Sequence, residues 1–357
     1  MASPILSSEF HDAGAPVASR PQRRNRGGSS GGGLSGQVKA MAQQADKRMS
    51  PKSKPARREG SLGAKGELSL LDWDAISPWR QEGSEHLRTG YRRETASWKD
   101  CLRSWTYLHN ETVSIFSHVL GALLFLSLPY HIFNTEIPPR YAVATRADVM
   151  VCSIYFGGVA ICFILSTIFH TFMSHSPTVY ARGMRLDFQG ILLLMWGSTV
   201  PLAYYHFGEP CRHIMQSASA TTYGVVTTAL AMLCSLATFH PGIGGPRLGH
   251  ARAVLFAAFG VGSFLVPVGH GIWAYGWAEQ SRRLGLPWIG LTVLFNGVGV
   301  VLYAFKIPEK WYPKVFDIFG ASHQIMHIMV VSAALAYSQA VLAAFDYRHS
   351  GRGMDVC

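Results

Sequence analysis

Residues 149–170 read VMVCSIYFGGVAICFILSTIFH, an apolar run without a single Asp, Glu, Lys or Arg. A hydrophobic stretch of roughly 18 or more residues is long enough to cross a bilayer as a helix. The run is continuous rather than alternating, and backbone groups in lipid must be satisfied within the segment, so a helix is indicated. Further runs lie at about 113–133, 187–206, 217–239, 252–275, 287–305 and 321–344. The breaks between them are turn-rich or charged: NTEIPPRYAVATRAD, MSHSPTVYARGMR, GEPCRH, HPGIGGPRLGH, EQSRRLG and KIPEKWYPKVFD. The pattern predicts an all-α protein, a seven-transmembrane helix bundle over 113–345 with a short C-terminal tail over 346–357.

Working outward from the runs, the first third of the chain is a different material. Residues 1–68 hold SGGGLSG, KSKPARR and the basic residues Arg20, Arg23, Arg24, Arg26, Lys47, Arg48, Lys52, Lys54, Arg57 and Arg58. Such a composition buries too little apolar surface to offset the entropy of ordering, so a disordered N-terminal tail is expected. Over 69–112 tryptophans and leucines appear among charges, as in LSLLDWDAISPWR and SWKDCLRSWTYL. That segment suits an amphipathic piece along the membrane surface, or equally an ordered linker capping the bundle. The net charge of +11 would suggest nucleic acid in a soluble protein. Ahead of a membrane domain it reads as an orienting signal or an anionic-lipid contact, and no nucleic-acid partner is expected.

The six cysteines (Cys101, Cys152, Cys162, Cys211, Cys234 and Cys357) form no CxxC pair, and no disulfide is expected. The start of the chain lacks a cleaved signal-peptide pattern, which leaves targeting to the first span. Basic residues in the connections tie between the two sides of the membrane. Arg92, Arg93, Lys99 and Arg103, just before the first span, break the tie and place the N-terminus in the cytoplasm. The sequon Asn110-Glu111-Thr112 then lies on the cytoplasmic side, where no glycan is expected. Trp273, Trp277 and Trp288 suit an interfacial belt.

Ionisable groups inside spans are costly and each needs a reason. Ser166 and His170 lie four residues apart at the end of the second run, Asp187 opens the third, and His323 and His327 stand at the start of the seventh. Residues four apart share one helix face. The end of the second span and the starts of the third and seventh fall on one side of the membrane, so these side chains have the means to meet. Three neutral imidazoles leave a tetrahedral Zn2+ one open position. Asp187 fits as a carboxylate acting on a water there, and Ser166 as a donor to a developing oxyanion. The plainer alternative is that the histidines are interhelical hydrogen-bonding or interfacial side chains. HQIMH is not HExxH, so the zincin arrangement is absent. His118 and His270 read as packing residues.

At these positions the chain resembles the progestin and adipoQ receptor family, also called the adiponectin receptor or hemolysin-III-like family. The segments HNETVSIFSHVLGALLF, LSTIFHTFMSHS, RLDFQGILLL, FHPGIGGPRLGHARA and LYAFKIPEKWYPKVFDIFGASHQIMH carry the likeness over about 105–345. It implies seven helices with a cytoplasmic N-terminus and a zinc held by His170, His323 and His327 near the cytoplasmic face. It also implies Asp187 on the zinc-bound water and Ser166 lining the site. Ser114 stands where asparagine is expected, and Lys314 where a glycine usually follows the proline of WYPK. The sequence looks closer to the fungal members, associated with zinc and lipid homeostasis, than to vertebrate adiponectin receptors, so adiponectin binding is not implied.

Two readings follow. The first is an intramembrane lipid amide hydrolase, ceramidase-like, with a ceramide-like or sterol-related lipid as its membrane partner and Asp187 and Ser166 as catalytic groups. The second is a non-enzymatic signalling receptor with a structural zinc, its protein ligand unassigned. Zinc transport is weaker, because three histidines closing on one ion favour retention. The expected location is integral, in the plasma membrane or an endomembrane.

Overall fold

The computed structural model describes residues 69–81, 85–134, 142–207, 215–240 and 249–350. The expected tail over 1–68 and the end of the expected C-terminal tail lie outside the described residues. Seven helices among the described residues are long and apolar enough to cross a membrane. They are span 1 (Thr112–Ile132), span 2 (Arg146–Phe172), span 3 (Pro177–Phe207), span 4 (Ala220–Phe239), span 5 (Val254–Tyr275), span 6 (Leu286–Phe305) and span 7 (Ser322–His349). No strand occurs among the described residues, only an isolated antiparallel bridge between Leu71 and Tyr91.

Local sequence explains how each helix starts and bends. Span 2 begins with a reciprocal cap in which Thr145 and Asp148 bond each other's backbone N–H, satisfying two of the donors a helix start leaves orphaned. Span 5 contains a π-helical turn, Val261–Leu265, directly before Pro267. That proline cannot donate to the carbonyl of Ser263, four residues earlier, and the Tyr223 hydroxyl of span 4 donates to it instead.

Span 3 differs most from expectation. Its helix starts at Pro177, not at 187. The first ten residues are polar, with Arg182 and Arg185, so a search for apolar runs passes over them. A helix of 31 residues is about 46 Å long at 1.5 Å per residue, well beyond a hydrocarbon core of about 30 Å. Its polar start therefore reaches past the hydrocarbon, and Asp187 sits about 15 Å in, where the apolar part begins. Arg182 and Arg185 are helical residues rather than loop charges.

Spans 2 and 7 form the centre of the bundle. Half of the apolar window of span 2 and 56% of that of span 7 are buried, against 17% for spans 4 and 6. In the core between spans 1, 2 and 7, Phe125, Tyr155, Phe156 and Phe163 meet Ala334, Tyr337 and Ala340. The Tyr155 hydroxyl donates to the carbonyl of Ala334 at 2.6 Å, and that of Tyr337 to the carbonyl of Ser198 at 2.6 Å. Spans 2 and 3 approach at backbone distance, because a Cβ on Gly190 would stand 3.0 Å from the Cα of Cys162. Span 3 is tied to span 4 through Gln189, which donates to Thr238 and accepts from Ser235. Cys101, Cys152, Cys162 and Cys234 are buried free thiols. Trp273, Trp277 and Trp288 are exposed.

Candidate metal centre

The central pair of spans brings the three histidines together. His170 lies in the last turn of span 2, and His323 and His327 in the first turns of span 7. One ring nitrogen from each lies within 4.8 Å of the other two. The Nε2 of His323 is 3.4 Å from the Nε2 of His170 and 3.0 Å from the Nε2 of His327. Tetrahedral Zn–N bonds of 2.0–2.1 Å put ligand nitrogens about 3.3–3.4 Å apart, and the His170–His323 separation matches that spacing. His170 and His327 are buried and His323 is half-buried.

The tautomer of His170 follows from its other nitrogen. Its Nδ1 is 2.8 Å from a carboxylate oxygen of Glu111. A proton on Nδ1 donated to that carboxylate leaves the Nε2 lone pair facing the other imidazoles, the carboxylate–histidine arrangement common at metal sites. Burial pushes the Glu111 carboxyl up, but the hydrogen bond from His170 and the nearby guanidinium of Arg92 oppose it and hold it below the usual carboxylate range. The Glu111 N–H donates to His109 Nδ1 at 3.0 Å, so the same turn positions both side chains.

Further groups fix the helix ends that carry the ligands. Arg92 is buried, and its guanidinium donates to the carbonyls of His170 and Thr171 and to the Ser104 hydroxyl. Burial lowers its pKa to about 10, which leaves it charged at neutral pH. It satisfies carbonyls that the end of span 2 would otherwise leave orphaned, and places a cation at the negative end of the helix. Arg92, counted from the sequence among free flanking charges, is thus enclosed. At span 7 the Glu309 carboxylate accepts from the N–H of Ser322 at 2.8 Å and from its hydroxyl, next to His323. Gln324 donates to the carbonyls of Asn110 and Ile318 at 2.9 Å each and accepts from the Gly320 N–H at 2.7 Å.

Ser166 is buried one turn before His170. The half-buried Asp187 lies close enough to interact with the Ser166 side chain and the His170 imidazole. The three histidines therefore meet at one end of the bundle, with Ser166 one turn before His170 on span 2 and Asp187 near the start of the apolar part of span 3, in the third turn of its helix rather than opening it. His118 packs, as expected, but its ring lies on that of His327 with centroids 3.9 Å apart. His270 lies near His206, centroids 6.1 Å apart, away from this cluster. Sequence reading missed Glu111, Arg92, Glu309 and Gln324. Arg92 and Glu111 precede the first apolar run and Glu309 lies between the last two, where a polar residue looks like ordinary interface, while Gln324 stands inside SHQIMH between the two histidines that drew attention.

Comparisons with known proteins establish the family. The haemolysin-III-related family matches residues 106–338. The chain is 31% identical over 307 residues to the ADIPOR-like receptor IZH2 of Saccharomyces cerevisiae, covering 86% of this chain and 94% of that one. It is 32% identical over 273 residues to the adiponectin receptor protein of Drosophila melanogaster, covering 76% of this chain and 59% of the relative. To human progestin and adipoQ receptor family member 3 it is 27% identical over 285 residues, covering 79% and 88%. The chain belongs to the haemolysin-III-related family, within its adiponectin-receptor-like, seven-span membrane proteins.

Proposed function

We propose that this protein is a zinc-dependent intramembrane lipid amide hydrolase, ceramidase-like, built on a receptor-like seven-span fold. The observation that carries the reading is the meeting of three imidazole Nε2 atoms beside a carboxylate and a hydroxyl at one end of the bundle. Zinc bound there would supply a Lewis acid and a nucleophile at neutral pH. His170, His323 and His327 would hold it through Nε2. Asp187 takes the proton of the attacking water and returns it to the leaving amine. Ser166 donates to the carbonyl oxygen as charge develops on it. The acyl chain, from a ceramide-like or sterol-related lipid, lies among the spans. The N-terminus is cytoplasmic, and the membrane is the plasma membrane or an endomembrane.

A second reading, a non-enzymatic signalling receptor with a structural zinc, is favoured by the clamping of the ligands. Arg92, Glu111, Glu309 and Gln324 hold both ligand-bearing helix ends to the segments before them, as suits an ion that ties spans together. One experiment separates the two. Purified protein in detergent is assayed for zinc content and for hydrolysis of a fluorescent ceramide, alongside Asp187→Ala and His323→Ala. The hydrolase reading expects His323→Ala to lose zinc and turnover together, and Asp187→Ala to keep most of its zinc while turnover falls at least 100-fold, the low end of about 10²–10⁴ for a lost general base. Full turnover in Asp187→Ala removes its catalytic role. Zinc-bound parent without turnover on any lipid amide leaves the receptor reading standing.

A further inference from the structure

The connection between spans 6 and 7, residues 306–321, sorts its side chains by charge. Its two acids point inward. Glu309 is buried on the start of span 7, and Asp317 is buried and accepts from the N–H groups of Arg88 and Thr89 and the Thr89 hydroxyl at 2.7–3.1 Å. Its exposed charges are Lys310 and Lys314. Between and beside them Trp311, Tyr312, Val315 and Phe319 are each more than half exposed. In water so many large apolar side chains on one short connection would be costly. At the boundary of a bilayer, tryptophan and tyrosine are the favoured residues and lysine reaches the headgroups.

We propose that this connection is a binding surface for anionic phospholipid headgroups of the leaflet on the histidine side. The aromatic and aliphatic side chains insert at headgroup level, continuous with the lipid-facing surface of span 6, and Lys310 and Lys314 pair with headgroup charge. Charge complementarity selects the occupant, because both acids are turned away and every exposed charge is positive. Lys314 adds a second sign: its φ of +71° lies in the left-handed region that favours glycine, so this lysine is kept at a conformational cost. The inward side of the same connection bonds Ser322 and Gln324, which flank His323. Lipid occupancy would therefore steady the helix end that carries two of the three clustered histidines.

The test uses the full chain in bilayers carrying trace spin-labelled phosphatidylserine or phosphatidylcholine, reading the motionally restricted fraction of each. The parent is expected to prefer phosphatidylserine several-fold, and less so as salt is raised. Lys310→Gln with Lys314→Gln should remove most of that preference, since the two lysines are its source of positive charge. Lys314→Gly separates charge from fold. It should lose one lysine's share while melting at a higher temperature than the parent, because the left-handed strain is relieved. The proposal is overturned if the double variant keeps the parent's preference, or if the parent shows none.

Discussion

Glu111 illustrates how much one side chain outside the ligand set can govern. Its carboxylate fixes which nitrogen of His170 carries the proton, and so which one faces the other imidazoles. Glu111→Gln is expected to weaken zinc binding by about 10–100-fold, measured by competition with a chromophoric chelator. Unchanged affinity would show the contact to be incidental. His109, on the same turn, makes a pH statement. Burial and then the charge of Arg92 bring its pKa down from 6.5 to about 3. The unfolded chain therefore binds that proton first, so the neutral ring's full contribution is present above about pH 6.5 and drains away toward pH 3. The slope is at most about 1.4 kcal/mol per pH unit for one proton. His109→Asn keeps an acceptor for the Glu111 N–H and should flatten the acid side of a melting-temperature profile. An unaltered profile would assign that limb to other groups.

At the scale of elements, the site depends on how closely spans 2 and 3 approach. Gly190→Ala would place a methyl group 3.0 Å from the Cα of Cys162 and 3.2 Å from its carbonyl oxygen. Backbone cannot yield as a flexible side chain can, so a loss of about 1–3 kcal/mol is expected. Asp187, three residues away, would be displaced from Ser166. Gly297→Ala, with open space around its Cβ position, is the control in the same thermal unfolding assay. Equal melting of the two variants would mean that spans 2 and 3 have room to spare. The existence of the spans was legible because hydrocarbon demands long apolar runs, and 149–170 declares itself on that ground. The true start of span 3 was not. Its first ten residues are helical through pairing with their surroundings rather than through apolar periodicity, and TVYARGMR resembles a loop until Trp79 and Phe169 are seen packed on Tyr180.

Across the whole molecule, the histidine cluster was legible because expensive groups inside spans are few and their spacing is informative. What supports it was not, because Arg92 and Glu111 lie in a stretch whose polarity matches any interface. The buried Arg92 also changes how sidedness should be tested. A charge enclosed on helix carbonyls says less about orientation than Arg93, Lys99 and Arg103, which are exposed. The sequon at Asn110 gives no simpler answer, since Asn110 is itself 4% exposed. A glycan there would have to break the packing of Asn110 in the folded bundle. New sequons in exposed connections are the better reporters.

His170 and His323, whose Nε2 atoms stand 3.4 Å apart, are separated by 153 positions. At about 5–20 residues per second of synthesis, the first waits roughly 8–30 seconds for the second to be made. A nascent chain arrested anywhere before its final helix carries one imidazole of the three, too few to retain an ion against cellular competitors. Closure of the histidine cluster is thus a late event in biogenesis, and a quality-control system able to sense it would be sensing that the last helix has been threaded.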